Sequence, residues 1–540
     1  MAGLGTLVKL ILRRDRIKLP LWIIGLVATL LAMVPLLRDI YGDTASLNTM
    51  YATFSANPSA LFMTGPIDEP TFGAFMMIET LLWWGLAIAF LNTLFIVRHT
   101  RHNEEIGAQE LLLSGRTHRA SSLAAALIVA LGINALIALS LGFGMQFMDA
   151  TWSTSQSWLY AVAMGAFGFA WAAIAAIVVQ LVENGRSANS LLAGLIGAGF
   201  ILRGIGDFLG KTDSIGVHQP TWLSYLSPFG WLQATRPLTA HADWWPLIIP
   251  IGFAIVAMAL AFILLTHRDV GAGMLPGHKG KKRASYFLRT PLGLTWYLQK
   301  NIFIGWLIGV LVMVGTIGAL VPQMSDVYES SDSMRQTIQA IGGTGALIPS
   351  FMSAMIAITC LMVFAYAIHG LSKLRSEEAN GNLEHLLATK LSRLKWLGLH
   401  LATVIIGGLF MLAATGAVLA FCVNSLSDFN VDMWEYILAG LSYLPVLFMF
   451  VAIYLILFGL LPRLASGVTW FYFGFVSFAL WLGPIIRLDK AIMNLSVMEH
   501  LPTPPVEDIK TTPLLIITAI SLGMILVGTF AWRQRNLLEK

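Results

Sequence analysis

Apolar residues run along this chain in blocks of about twenty, parted by short polar intervals, from "LPLWIIGLVATLLAMVPLL" at 19–37 to "LLIITAISLGMILVGTF" at 514–530. Blocks of that length can cross a hydrocarbon core of about 30 Å as helices. The pattern predicts a first set of spans at 19–37, 71–97, 123–146, 158–182, 189–209 and 244–266. A second set follows at 302–321, 350–368, 397–423, 435–461, 467–486 and 513–532, making twelve with both termini on one side. The expected fold is an all-α polytopic membrane protein. The basic start before the first apolar run is what a signal peptide would show. That run is long, however, and leads into "RDIYGD" rather than a small-residue cleavage site, so it reads as a retained span.

Composition agrees: 57% of the residues are hydrophobic and 12% charged, against about 25% charged in a soluble globular chain. Basic residues then orient the bundle, because inner loops of membrane proteins collect Lys and Arg. With the termini and the even-numbered loops inside, those segments hold 26 of the 34 Lys and Arg, while most acids fall outside. The net charge of +5 reports this sidedness and implies no nucleic-acid partner. A bacterial cytoplasmic membrane with both termini cytosolic is the expected location. Cys360 and Cys422 both lie inside apolar runs and read as small packing residues.

Two polar phrases repeat. "RHNEEIGAQELLLSG" at 101–115 and "LRSEEANGNLEHLLATK" at 374–390 each stand between a second and a third span. Gly107, Glu110, Leu112, Leu113 and Arg119 recur as Gly381, Glu384, Leu386, Leu387 and Arg393, each 274 residues on. Glu104 and Glu105 are set against Glu377 and Glu378 with one residue of slippage. "WIIG" from Trp22 likewise answers "WLIG" from Trp306. The chain thus reads as two tandem six-span halves, 1–277 and 301–540, joined by a basic linker at 278–300. Six spans return the chain to its starting side, so the halves are related by a pseudo-two-fold along the membrane normal.

Each phrase predicts a short cytosolic helix with acids at its start, where the helix dipole favours them. Its leucines need apolar cover from membrane, from the protein's own spans or from a partner. These residues, with "YLSPFGWLQATRPL" and "DWWPL" in 225–247, resemble type 2 ABC exporter permeases, in particular the large twelve-span bacterial exporters of polyketide antibiotics and other drugs. The resemblance covers nearly the full chain. It implies two ABC-2-type halves in which this loop carries a coupling helix that docks in a groove of a separate ATPase. It further implies that Glu104, Glu105, Gly107, Glu110 and Leu112 form one docking site, and Glu377, Glu378, Gly381, Glu384 and Leu386 the other. Two copies of a cytosolic P-loop ATPase would then be the partners, holding ATP and Mg that this chain does not bind. The second half departs from the first: it has an extra residue before Gly381 and reads "LSVMEHLPTPP" where the first reads "LSPFGW".

The chain shows no motor of its own. A phosphate-binding loop needs Gly-x4-Gly-Lys-Ser/Thr after a strand. "GIGDFLGKT" at 204–212 fails because Ile205 stands where the first glycine belongs. No metal-ligand spacing and no nucleophile–base pair is visible, so the chain is not read as an enzyme. Leu4, Leu7, Val8, Ile11 and Leu12 form a helical stripe with Lys9, Arg13 and Arg16 on other faces, an interfacial helix in contact with membrane lipids. Glu79 is the one acid deep in a span, a costly position. With Trp83 and Trp84 it could hold a cationic amphiphile in a substrate pathway, or it could lock two helices; the matching residue is Ser353. Arg203 and Asp207, four apart, read as an intrahelical pair. The rival function is an ion-coupled secondary multidrug transporter, against which stands the lack of a second mid-membrane acid for a proton relay.

Overall fold

A segment in hydrocarbon has no water to satisfy its backbone, so each crossing segment must bond within itself. The computed structural model meets this demand with helices. It describes residues 3–55, 58–115, 117–149, 151–212, 218–269, 271–275, 283–330, 347–426, 430–484 and 488–536. Eleven helices among the described residues are long and apolar enough to cross a membrane. The one strand pairing among them is a two-residue ladder, Lys211–Thr212 against His218–Gln219. By contacts the chain divides into two compact units, Met1–Gly280 and Lys281–Lys540.

In the first unit the stripe of leucines forms the helix Leu4–Arg14, which buries Leu7 and Ile11. The long helices are Lys18–Ile40, Phe72–His99, Arg119–Met148, Thr154–Leu181, Gly185–Phe208 and Ile248–His267. Several of their starts carry polar caps. Thr71 and Asn184 accept from backbone N–H groups of the first turn, and Ser153 and Gln156 cap each other reciprocally. The 225–247 stretch does not span. Its short helix Pro228–Ala234 drives Phe229 into a cluster with Phe167, Trp171 and Phe200.

In the second unit a 40-residue helix, Pro291–Ser330, contains the expected span 302–321. It begins inside the expected linker 278–300, whose residues 278–282 lie outside the described residues. Leu347–Ala379, Arg393–Leu426, Met433–Leu441 with Leu444–Leu460, and Thr511–Gln534 supply the other long elements. Arg393–Leu426 and Met433–Leu441 touch backbone to backbone: a Cβ on Gly416 would stand 1.9 Å from the Tyr436 carbonyl oxygen. Such approach is how helices gain contact where lipid offers no hydrophobic drive. The expected span 467–486 corresponds to Ala465–Trp481, whose 17 residues reach only about 26 Å at 1.5 Å per residue. Residues 485–487 lie outside the described set.

Polar glue holds the first unit's spans. Asn92 and Asn134, both buried, exchange hydrogen bonds of 3.1 and 2.7 Å between Phe72–His99 and Arg119–Met148. Thr80 and Tyr160 share another of 2.7 Å. Interhelical bonds of this kind contribute about 0.6 kcal/mol on average and up to about 1.7. Asn92→Leu alone should therefore lower stability in detergent by roughly 1–2 kcal/mol, since it strands the Asn134 amide. Thermal unfolding of the N92L/N134L double variant should recover part of that loss. Strictly additive losses in the double variant would show that the pair is not coupled.

Candidate functional site

The two repeated phrases adopt the same local form. In the first unit Phe72–His99 gives way to the short helix Arg101–Glu105, and Gly107 turns the chain with φ 72° into Ala108–Leu113. In the second, Leu347–Ala379 is followed by Gly381 at φ 75° and by Asn382–Leu387. A left-handed residue costs an L side chain roughly 1–2 kcal/mol, which is why glycine stands at both turns. Each short helix has six residues, and each loop ends where a long helix begins, at Arg119 or Arg393.

Arginines fix these loops from within. Arg101, fully buried, pairs with Glu104 and donates to the Val182 and Ala272 carbonyls. Glu104 in turn meets Arg268, just past the end of Ile248–His267, with one contact at 2.9 Å. Arg268 also donates to Gln180 at 2.7 Å, and its own carbonyl accepts from Arg119. The second unit repeats the scheme. Arg375 donates to the Arg463 carbonyl, Glu378 meets Arg535 at 2.8 Å, and Arg393 reaches the Arg535 carbonyl at 3.0 Å. Arg101, Glu104 and Arg119 thus correspond to Arg375, Glu378 and Arg393 at the single offset of 274. The slippage read from the acid pairs disappears: Glu104 answers Glu378. Glu105 has a different task, accepting the Gly185 N–H at 2.7 Å. There it sits at the positive end of the Gly185–Phe208 helix. Glu377 closes its own loop on the Asn382 amide at 3.0 Å.

What remains open to solvent is narrower than the ten residues expected to dock. Glu110 and Glu384 are exposed, Leu112 and Leu386 half-buried, and Glu104, Glu377 and Glu378 turned inward. The outermost apolar groups of the first loop are Leu111, 78% exposed, and Ile106. The sequence reading missed both, because a run of three leucines on a six-residue helix does not say which one faces out. It also missed Arg268 and Arg535. The available signal was that each is a basic residue just beyond the last long helix of its unit.

The remaining candidates are separate from these loops. Glu79 is half-buried beside Tyr41, and Trp83 lies 6.1 Å from the Phe200 ring. Trp84 turns elsewhere, donating to the Leu26 carbonyl at 3.0 Å. Arg203 and Asp207 form a buried pair at 3.2 Å that Ser224 completes, a structural tie. Residues 204–212 close a helix and enter a strand, the reverse of the order a phosphate loop needs. No group of three potential metal ligands occurs among the described residues.

Comparison with known proteins gives one family. The model described as "Multidrug efflux system permease Rv1217c, C-terminal domain" matches residues 4–265 and 288–533. The multidrug efflux system permease protein Rv1217c of Mycobacterium tuberculosis (strain ATCC 25618 / H37Rv) is 29% identical over 533 residues. That alignment covers 98% of this chain and 94% of the relative.

Removing one partner of a buried ion pair costs roughly 3–5 kcal/mol, whereas a surface change away from such features stays within about 0.5 kcal/mol. Glu104→Ala should therefore lower the unfolding temperature of the purified chain sharply, and Glu110→Ala should leave it nearly unchanged. Equal effects of the two would contradict the division between inward and outward acids.

Proposed function

The chain belongs to the multidrug efflux permease family of that model, and from this premise we propose that it is the transmembrane subunit of an ATP-driven ABC exporter of type 2. In this reading twelve spans, two sets of six, enclose the path of an amphiphilic drug, antibiotic or lipid-like molecule leaving across the bacterial cytoplasmic membrane. Both termini are cytosolic. Two copies of a P-loop ATPase dock on the two loops and hold the ATP and Mg.

The observation that carries the proposal is the pair of loops itself. Each presents an exposed carboxylate, Glu110 or Glu384, on a short helix whose base is tied by arginines, buried in the first loop and half-buried in the second. A surface made to be pushed must not yield locally. Here a displacement of the first loop passes through Glu104 to Arg268 and the end of Ile248–His267. Through Glu105 it passes to the start of Gly185–Phe208. Glu104, Glu105 and Glu378 are then positioning residues, and Glu110, Leu111 and Glu384 are contact residues. Glu79 is the feature on the side of ion coupling, and the same experiment addresses it.

Vesicles holding the chain with its ATPases should export a dye-like cationic amphiphile only when ATP is supplied. Glu110→Lys with Glu384→Lys should lower that rate at least tenfold and abolish co-purification of the ATPase, and each single change should do less. Undiminished ATP-dependent export in the double variant refutes the docking assignment. Uptake driven by a proton gradient in vesicles of this chain alone, lost in Glu79→Gln, refutes the ATP-driven reading.

A further inference from the structure

The N-terminal helix leaves a furrow that nothing in the transport reading uses. Leu4–Arg14 packs on the Arg119–Met148 helix with Leu7 and Ile11 buried, and the chain then turns at Asp15 into Lys18–Ile40. Asp15 is 2% exposed and pins that turn by pairing with His99 at 2.6 Å and Arg98 at 2.9 Å. Between the turn and the Arg119–Met148 helix runs a slot of about 320 Å³, walled by Leu12, Leu19, Ile128 and Leu136. Its floor is Gly132, where an added Cβ would meet nothing within 4 Å. Leu12, Ile128 and Leu136 remain about half exposed, so the slot opens sideways to whatever surrounds the bundle.

The mouth has a sign. Arg16 lines it, and Arg13 and Lys18 are exposed one turn to either side. No ion pair to a carboxylate is formed by Arg13, Arg16 or Lys18 among the described residues. The acid in the same turn, Asp15, is consumed by His99 and Arg98. An apolar slot flanked by unneutralised cations, where an amphipathic helix meets a span, matches a phospholipid that is anionic at its head. We propose that this furrow is a specific site for one anionic phospholipid, its acyl chain against Gly132 and its phosphate at Arg16 and Lys18. A cationic amphiphile is repelled by the same mouth, which separates this site from any drug path. The neighbouring Arg14 donates to Asn103 of the short helix Arg101–Glu105 at 2.8 Å, so the lipid would brace the segment that supports the first loop.

The test is native mass spectrometry of the purified full chain. The probes are phosphatidylglycerol and phosphatidylcholine of matched chain length, offered together. One phosphatidylglycerol should be retained in preference. Arg16→Gln with Lys18→Gln, both exposed, should reduce that retention roughly tenfold without changing the weak retention of phosphatidylcholine. Gly132→Leu should fill the floor and displace the lipid with the charges intact, and glycerol phosphate, lacking chains, should not bind. Equal retention of both lipids, indifference to the charge variant, or displacement by an equal concentration of a long-chain quaternary ammonium compound would overturn the proposal.

Discussion

Arg101 cannot shed its proton, and the fold gives its side chain no water. A guanidinium so placed must find carboxylate and carbonyl oxygens on every donor, and this requirement organises one end of the first unit. It draws in Glu104 from its own short helix, the Val182 carbonyl ahead of Gly185–Phe208, and the Ala272 carbonyl beyond Ile248–His267. Glu104 then answers a second cation, Arg268, so one carboxylate joins two guanidinium groups and three helix ends. In the second unit the corresponding ties are less buried: Glu378 pairs with Arg535, and the half-buried Arg375 reaches the Arg463 carbonyl.

The spans and the repeated loops were legible in the sequence for a simple reason. Hydrocarbon enforces long apolar blocks, and a turn at positive φ enforces glycine, so both leave local marks. The pairing of Glu104 with Arg268 left none, because its partners are 164 residues apart and periodicity carries no long-range contacts. The doubled acids were legible as a motif but not as individuals. Only the buried pairs distinguish the inward Glu104 and Glu378 from the outward Glu110 and Glu384. One expected span came out short, since Ala465–Trp481 stops before the Gly483 and Pro484 that followed it in the apolar run.

The two units are built alike but finished differently. At the loop tip the first shows Ile106 and Leu111 where the second shows Asn380 and His385. The first also breaks before its opening span at Asp15, whereas the second runs one 40-residue helix through the comparable region. A fused chain allows this divergence, because each half can change without altering the other; two identical subunits could not.

Basic residues beside a span also act before any fold exists, by keeping their segment on the side where translation occurs. If the basic side is cytosolic as proposed, Arg101, Arg268 and Arg535 are each used twice, first as unpaired charges during insertion and then as interior ties. Substituting any of them for the sake of the folded contact would also weaken a topological signal. A misinserted variant and an uncoupled one must therefore be told apart by which face of the membrane the loop occupies.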